Sequence, residues 1–318
     1  MSIVCYSNIY LQECLDRQRF NDEKPYGLKA REYTSLLIDA NSAARNTASV
    51  VKSISPLPVL AGHLVSSSAV IGGVLGVPIG LAASYNGFKK MKRAAVIGDT
   101  EGVVHNGLYG SFGAGYAGIS GILTADGIMG LQGGALPAMM TPVFGTLGLA
   151  MNGALLGYSS YGLHQSSQFN KEMKAVFEKE GERGVLSWLR EKVFLTGREA
   201  AEICQTAKDP TQEMAKALQR KWNALELRTG VECANLMRAK LPGLIEKFDP
   251  KEAGILIKEV RKANFKTRIK HIFLLLIAAI SIAGFLCLLL TTGPASPLLF
   301  GIAAITWFAL DSSTLHNY

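Results

Sequence analysis

"SISPLPVLAGHLVSSSAVIGGVLGVPIGLAASYNGF" occupies residues 53–88 and contains no Asp, Glu, Lys or Arg. Within it Ser68, Gly72, Gly76, Gly80 and Ser84 recur every four residues. Positions i and i+4 share one face of a helix. A face made only of Gly and Ser lets a second helix come very close, which is the small-xxx-small packing, or glycine zipper, of membrane helices. The stretch also exceeds the roughly 20 apolar residues that a helix needs to cross a bilayer. Pro78 would kink or break the helix, a defect tolerated in membrane segments that pack against neighbours. One span and a tight hairpin both fit.

The same absence of charge returns at 102–125, 127–170 and 271–310. Most of the charge lies elsewhere: residues 171–270 hold 22 basic and 15 acidic side chains, and residues 1–52 hold 7 and 6. The 318-residue chain carries a net charge of +8 with only 18% charged residues, against about 25% in an ordinary soluble protein. Four segments follow. Residues 1–52 are polar, with one helix at about 30–52. Residues 53–170 form a Gly-rich hydrophobic membrane region, and 171–270 a charged soluble helical domain. Residues 271–318 form a C-terminal transmembrane hairpin with a short tail. The expected class is all-α: a multi-pass helical membrane protein with Gly-rich packed helices and a soluble helical bundle.

In the charged domain the pattern predicts helices at 171–180, 182–195, 197–208, 211–240 and 251–270, with Asp209-Pro210 and Asp249-Pro250 as boundaries. Along 211–240, Leu218, Trp222, Leu225, Thr229, Glu232 and Leu236 follow a 4-3 spacing. Two of the six are polar, which favours an ordinary bundle helix over a coiled coil.

Residues 110–121, "GSFGAGYAGISG", spell Gly113-x-Gly115-x-x-Gly118, the letters of a dinucleotide-binding turn. That turn needs a strand before it, a helix after it and an acid about 20 residues on. Only Val103 and Val104 resemble a strand, and the acids available are Asp126 and Glu172. The glycines are better read as helix surface, with Gly110, Ala114 and Gly118 on one face and Gly107, Ser111 and Gly115 on another. Gly145, Gly153 and Gly157 continue the habit in the next run.

No other pattern carries catalysis. There is no Walker A sequence and no G-x-S-x-G, and no carboxylate pair is placed for acid–base work. His63, His105, His164, His271 and His316 are scattered, as are Cys5, Cys14, Cys204, Cys233 and Cys287. No metal, cofactor or disulfide framework is expected. The cations Lys89, Lys90, Lys92 and Arg93, and Arg261, Lys262, Lys266, Arg268 and Lys270, adjoin apolar runs. Cations so placed orient spans by the positive-inside rule and attract anionic lipid. Without interleaved aromatics they do not predict nucleic-acid binding. The expected partners are the lipid bilayer and proteins bound by 171–270, with a homo-oligomer left open.

The C-terminal stretch "HIFLLLIAAISIAGFLCLLLTTGPASPLLFGIAAITWFAL", residues 271–310, has two apolar limbs around a turn at Gly293, Pro294 and Pro297, with Trp307 suited to the interface. This bilobed hydrophobic region beside charged helical segments resembles the chlamydial inclusion membrane proteins. The resemblance implies type III secretion, insertion into a host-derived inclusion membrane and recruitment of host proteins. The N-terminus "MSIVCYSNIYLQECLDRQRF" accords with such export, since it lacks the basic-then-apolar layout of a cleaved signal peptide. The second, Gly-rich region departs from that family and is similar to type III translocators. The sequence therefore predicts a non-enzymatic membrane anchor for an interaction domain. Its alternatives are a pore-forming or translocator-like protein and a soluble α-helical protein with an unusually Gly-rich core.

Overall fold

The computed structural model describes residues 41, 44, 48, 58–134, 140–290, 298–306 and 309. Every described element is α-helical and no strand occurs among the described residues. The helices are α1 (Pro58–Val96), α2 (Thr100–Leu131), α3 (Met140–Val193), α4 (Gly197–Thr206), α5 (Pro210–Thr229), α6 (Val231–Glu246) and α7 (Pro250–Leu290). A further helical stretch covers 298–306. Asn41, Ala44 and Ala48 are helical. The rest of the helix expected at 30–52, the turn at Gly293, Pro294 and Pro297, and Trp307 lie outside the described residues.

Residues 58–96 form one helix rather than a hairpin. Pro78 sits inside it with its side chain exposed, so its ring displaces no neighbour. The basic residues Lys89, Lys90, Lys92 and Arg93 lie in the last turns of α1. The single helix expected at 211–240 is two. Gly230 separates α5 from α6 with φ 84° and ψ 158°, a backbone region essentially closed to residues with a Cβ. Gly181 does the same inside α3, with φ 66° and ψ −158°, at the boundary expected between 180 and 182. Helix α7 continues without a break from the charged residues into the apolar run at 271.

The chain divides into two compact units that do not follow the four contiguous segments. Among the described residues, one unit consists of Met91–His105 and Tyr161–His271. The other consists of the described residues within Pro25–Lys90, Asn106–Ser160 and Ile272–Tyr318. Residues 91–105, expected within the Gly-rich region, thus belong with the charged helices. The C-terminal apolar run belongs with the Gly-rich helices.

The charged unit has a conventional core. Met173, Leu189, Met237, Leu241, Leu256 and Val260 are fully buried in one cluster drawn from α3, α6 and α7. Trp222 of α5 is also fully buried, and its Nε1 donates to the Val193 carbonyl at 2.9 Å. Lys221 closes the end of α3, donating to the Glu191 carbonyl at 2.6 Å, the Phe194 carbonyl at 3.0 Å and Glu199 Oε2 at 2.7 Å. Thr196 and Glu199 cap α4 reciprocally. In the apolar unit, Leu155 of α3 packs with Leu274, Ile277 and Ala278 of α7 and with Ala303.

Gly230→Ala should destabilise the protein by about 1–3 kcal/mol through backbone strain alone, because the nearest atom to an added Cβ is Thr267 Oγ1 at 3.8 Å. Thermal unfolding in detergent, followed by circular dichroism, measures it; an unchanged midpoint would contradict the account.

Candidate functional site

Three features are organised enough to carry a function: a seam between α1 and α2, a polar clamp in the charged unit, and the two bands of cations.

From Ala69 to Gly87 the buried positions of α1 are Ala69, Gly73, Gly76, Gly80, Ala83 and Gly87. Those of α2 include Gly110, Gly113, Ala117, Ser120 and Gly127. The steps alternate between four and three along α1 and from Gly110 to Ser120 on α2, and each of these residues is small, Ile119 being the one large buried side chain on α2. A Cβ built on Gly80 would stand 2.5 Å from the Ala117 nitrogen, and one on Gly87 2.5 Å from the Gly110 Cα. One on Gly113 would stand 2.5 Å from the Ser84 nitrogen, and one on Gly127 2.6 Å from the Ser66 carbonyl oxygen. The helices therefore run antiparallel with their backbones in contact. Steps averaging 3.5 residues keep a seam facing its partner. A strict four-residue row instead turns about 40° around the helix at each step.

That rotation explains where the expected packing residues stand. Gly76, Gly80, Ser84 and Gly110 lie at the seam. Ser68 and Gly72 have turned toward Asn41, whose Nδ2 donates to the Ser68 carbonyl at 2.7 Å. Gly118 faces Leu147 of α3, and Gly157 meets Leu108 at an ordinary 3.4 Å. Ala114 and Gly153 are exposed, and nothing lies within 4 Å of a Cβ on Gly153, so neither is in a helix contact of the kind expected. Gly113, read in the sequence as helix surface, does lie at the seam, whereas Gly73, Gly87, Ser120 and Gly127 were not singled out; the alternation of three and four among small residues was the signal for them. The three glycines of the dinucleotide pattern lie mid-helix and diverge. Gly113 faces α1, while Gly115 faces Met151 and Gly118 faces Leu147, both on α3.

An open groove of about 600 Å³ beside this seam is lined by Val77, Leu81, Ala114, Gly118, Gly121 and Ala125, among others. No charged side chain lines it, so it lacks the convergent polar groups that orient a small ligand.

In the charged unit the first turn of α2 is gripped by side chains. Asp99, buried, caps α2 by accepting from the Gly102 N–H at 2.9 Å. Its other oxygen accepts from Asn223 Nδ2 of α5 at 2.9 Å. Arg228, at the end of α5, donates to Glu101 Oε2 at 3.2 Å and to Gln165 Oε1 of α3 at 2.9 Å. Asn264 of α7 donates to the carbonyls of Ser166 at 2.9 Å and Arg228 at 2.7 Å. Four helices thus meet in one network, whose members hold one another and present no free nucleophile. Near it, burial pushes the Cys233 thiol up to about 11. Burial alone would also raise the Glu199 carboxyl, but the hydrogen bonds from Lys221 and Thr196 outweigh it and hold it below its ordinary value. Among the described residues, no group of three or more His, Cys, Asp or Glu side chains is arranged to hold a metal.

Of the cations, Lys89, Lys90, Lys92 and Arg93 are exposed on α1, as are Arg261, Lys262, Lys266 and Lys270 on α7. Arg261 lies over the Phe177 ring at 4.6 Å. Arg268 departs from the rest: it is half-buried, and its Nε is enclosed without a hydrogen-bond partner. It points inward because it follows the buried Asn264 by one turn on the same face. Comparison with protein-family models, curated proteins and solved structures finds no match to the chain.

Two outcomes follow from this geometry. Gly80→Leu should force α1 and α2 apart and lower stability by several kcal/mol, beyond the roughly 1–3 kcal/mol of ordinary overpacking. Gly153→Ala should be neutral or stabilising by up to about 1 kcal/mol. Equal effects on thermal unfolding in detergent would contradict the seam. The cysteines divide by reactivity: at pH 8 iodoacetamide should modify exposed Cys204 and spare Cys233, which is buried and almost wholly protonated there. Peptide mass mapping reads the ratio; comparable labelling of the folded protein would refute the assigned burial.

Proposed function

We propose that the chain is a non-enzymatic integral membrane protein whose apolar helices hold the charged helical unit on one side of a bilayer, where that unit binds other proteins. The observation that carries this reading is the inverted order of side chains on α1. Its seam is Gly and Ala, while Leu64, Ile71, Val74, Leu81 and Tyr85 are all more than half exposed. In water the large apolar residues go inside. In lipid they face outward, and small residues mediate the helix contact.

Two helices are long and apolar enough to cross a membrane, α1 over Gly62–Val96 and α7. Only 22% of the apolar window of α1 and 33% of that of α7 is buried, whereas a core helix of a soluble protein would be mostly covered. On this reading α2 and the first half of α3 complete the bundle as less apolar spans. Lys92 and Arg93 share a compact unit with Tyr161–His271, as the positive-inside rule asks of a basic helix end and a domain on the cytoplasmic side. The resemblance of 271–310 to inclusion membrane proteins extends the proposal to a host-derived vacuole membrane, with the charged unit facing host proteins.

The chain should resist carbonate extraction from membranes. In a cysteine-free background, Lys92→Cys and Lys240→Cys should react with an impermeant maleimide from one side and Gln132→Cys from the other. Release into the carbonate supernatant would sink the membrane reading. Labelling of Lys92→Cys and Lys240→Cys from opposite sides would sink the topology. Leakage of dye from liposomes on insertion would favour a pore over an anchor.

A further inference from the structure

We infer that the outward face of α7 between Arg261 and Lys270 binds the headgroups of anionic phospholipids. The inference rests on the membrane reading above. The rotation of this segment is set by contacts on its inner side. Val260 is fully buried, and Asn264, 1% exposed, donates to the Ser166 and Arg228 carbonyls. With that side fixed, Lys262, Lys266 and Lys270 form a row four residues apart on the opposite side, all exposed. Phe265, 58% exposed, and Ile269, 37% exposed, stand beside them. Residues 261–270 contain five cations and no acid, and the apolar run begins at 271.

Each component fits a bilayer interface. Aromatic rings settle at headgroup depth, and lysine stems lie along apolar surface while the ammonium reaches toward phosphate. An exposed Phe and Ile among lysines suit a surface that is both anionic and partly apolar, which a nucleic acid backbone is not. Depth ranks the lysines. One helical turn of four residues advances about 6 Å, and the headgroup layer is about 5–7 Å thick on each side. Lys270 therefore stands at the inner edge of that layer, Lys266 at its outer edge and Lys262 beyond it, within about one Debye length. Arg261 lies over the Phe177 ring and Arg268 faces inward; by depth, the binding falls chiefly to Lys266 and Lys270.

The test uses the full chain reconstituted in phosphatidylcholine bilayers with spin-labelled phosphatidylglycerol or phosphatidylcholine as probe. The motionally restricted fraction should favour phosphatidylglycerol at least about threefold at low salt. The preference should fall toward unity at 1 M NaCl, where the Debye length is about 3 Å. K266Q/K270Q should remove most of it and K262Q little. Equal restriction of the two probes in the inserted wild-type chain overturns the inference, as does an unchanged preference in inserted K266Q/K270Q. Should that variant fail to insert, the wild-type preference and its salt dependence still decide the matter. An inserted chain with no preference ends this inference alone, whereas a chain that carbonate extracts ends the membrane reading beneath it.

Discussion

The backbones of α1 and α2 touch because Gly, Ala and Ser stand at most positions of the seam between them. Where Gly80 meets Ala117 and Gly87 meets Gly110, even one added carbon would fall about 2.5 Å from backbone atoms. This contact decides the rest of the apolar unit. Once most of the inner face is given to Gly, Ala and Ser, large apolar residues of α1 are turned away from it, and Leu64, Ile71, Val74 and Leu81 go outward. On α2 the economy of side chains extends to a second face. Gly115 and Gly118 admit Met151 and Leu147 of α3, so α2 is approached from two sides by neighbours that a larger residue would hold off.

The charged unit follows the opposite rule within the same chain. Its interior is built on large side chains, Trp222, Met173, Leu189 and Met237 among them. Several of its polar side chains reach backbone carbonyls, as with Trp222 on Val193, Lys221 on Phe194 and Asn264 on Ser166 and Arg228. Asp99 and Glu101 bring the turn between α1 and α2 into this unit, through Asn223 and Arg228. The link is polar and specific, so the start of α2 is located by hydrogen bonds and its later turns by close packing.

The division between these two rules was legible in the sequence, because a segment without Asp, Glu, Lys or Arg can be read directly from the residues. The all-helical class was legible for the same reason, together with the spacing of small residues. The register of the seam was not. A search for glycines at fixed intervals of four passes over Ala69, Ala83, Ala117 and Ser120, which do the same steric work. It also ignores the turning of such a row around the helix, which carried Ser68 and Gly72 to Asn41. The break at Gly230 was hidden by an apolar pattern that continues through it from Leu225 to Leu236. The clamp across to α5 left no local trace: Asp99–Asn223 and Glu101–Arg228 are 124 and 127 residues apart and consist of residue types that occur throughout the charged segment.

The soluble alternative, a Gly-rich core, meets its difficulty in the same contact. Burial stabilises in proportion to the apolar area removed from water, and a seam of Gly and Ala removes little of it. Each of Leu64, Ile71, Val74 and Leu81, left facing water, would forgo much of the about 1.5–3 kcal/mol that burial of such a side chain supplies. In water α1 would thus hide the residues that profit least and expose those that profit most. In a hydrocarbon phase the exposed side chains lose nothing. Helix association there depends on close van der Waals contact, which the absence of side chains at Gly80, Gly87 and Gly113 permits. One arrangement of side chains is therefore adverse in one solvent and favourable in the other, and that asymmetry is the physical content of the membrane proposal.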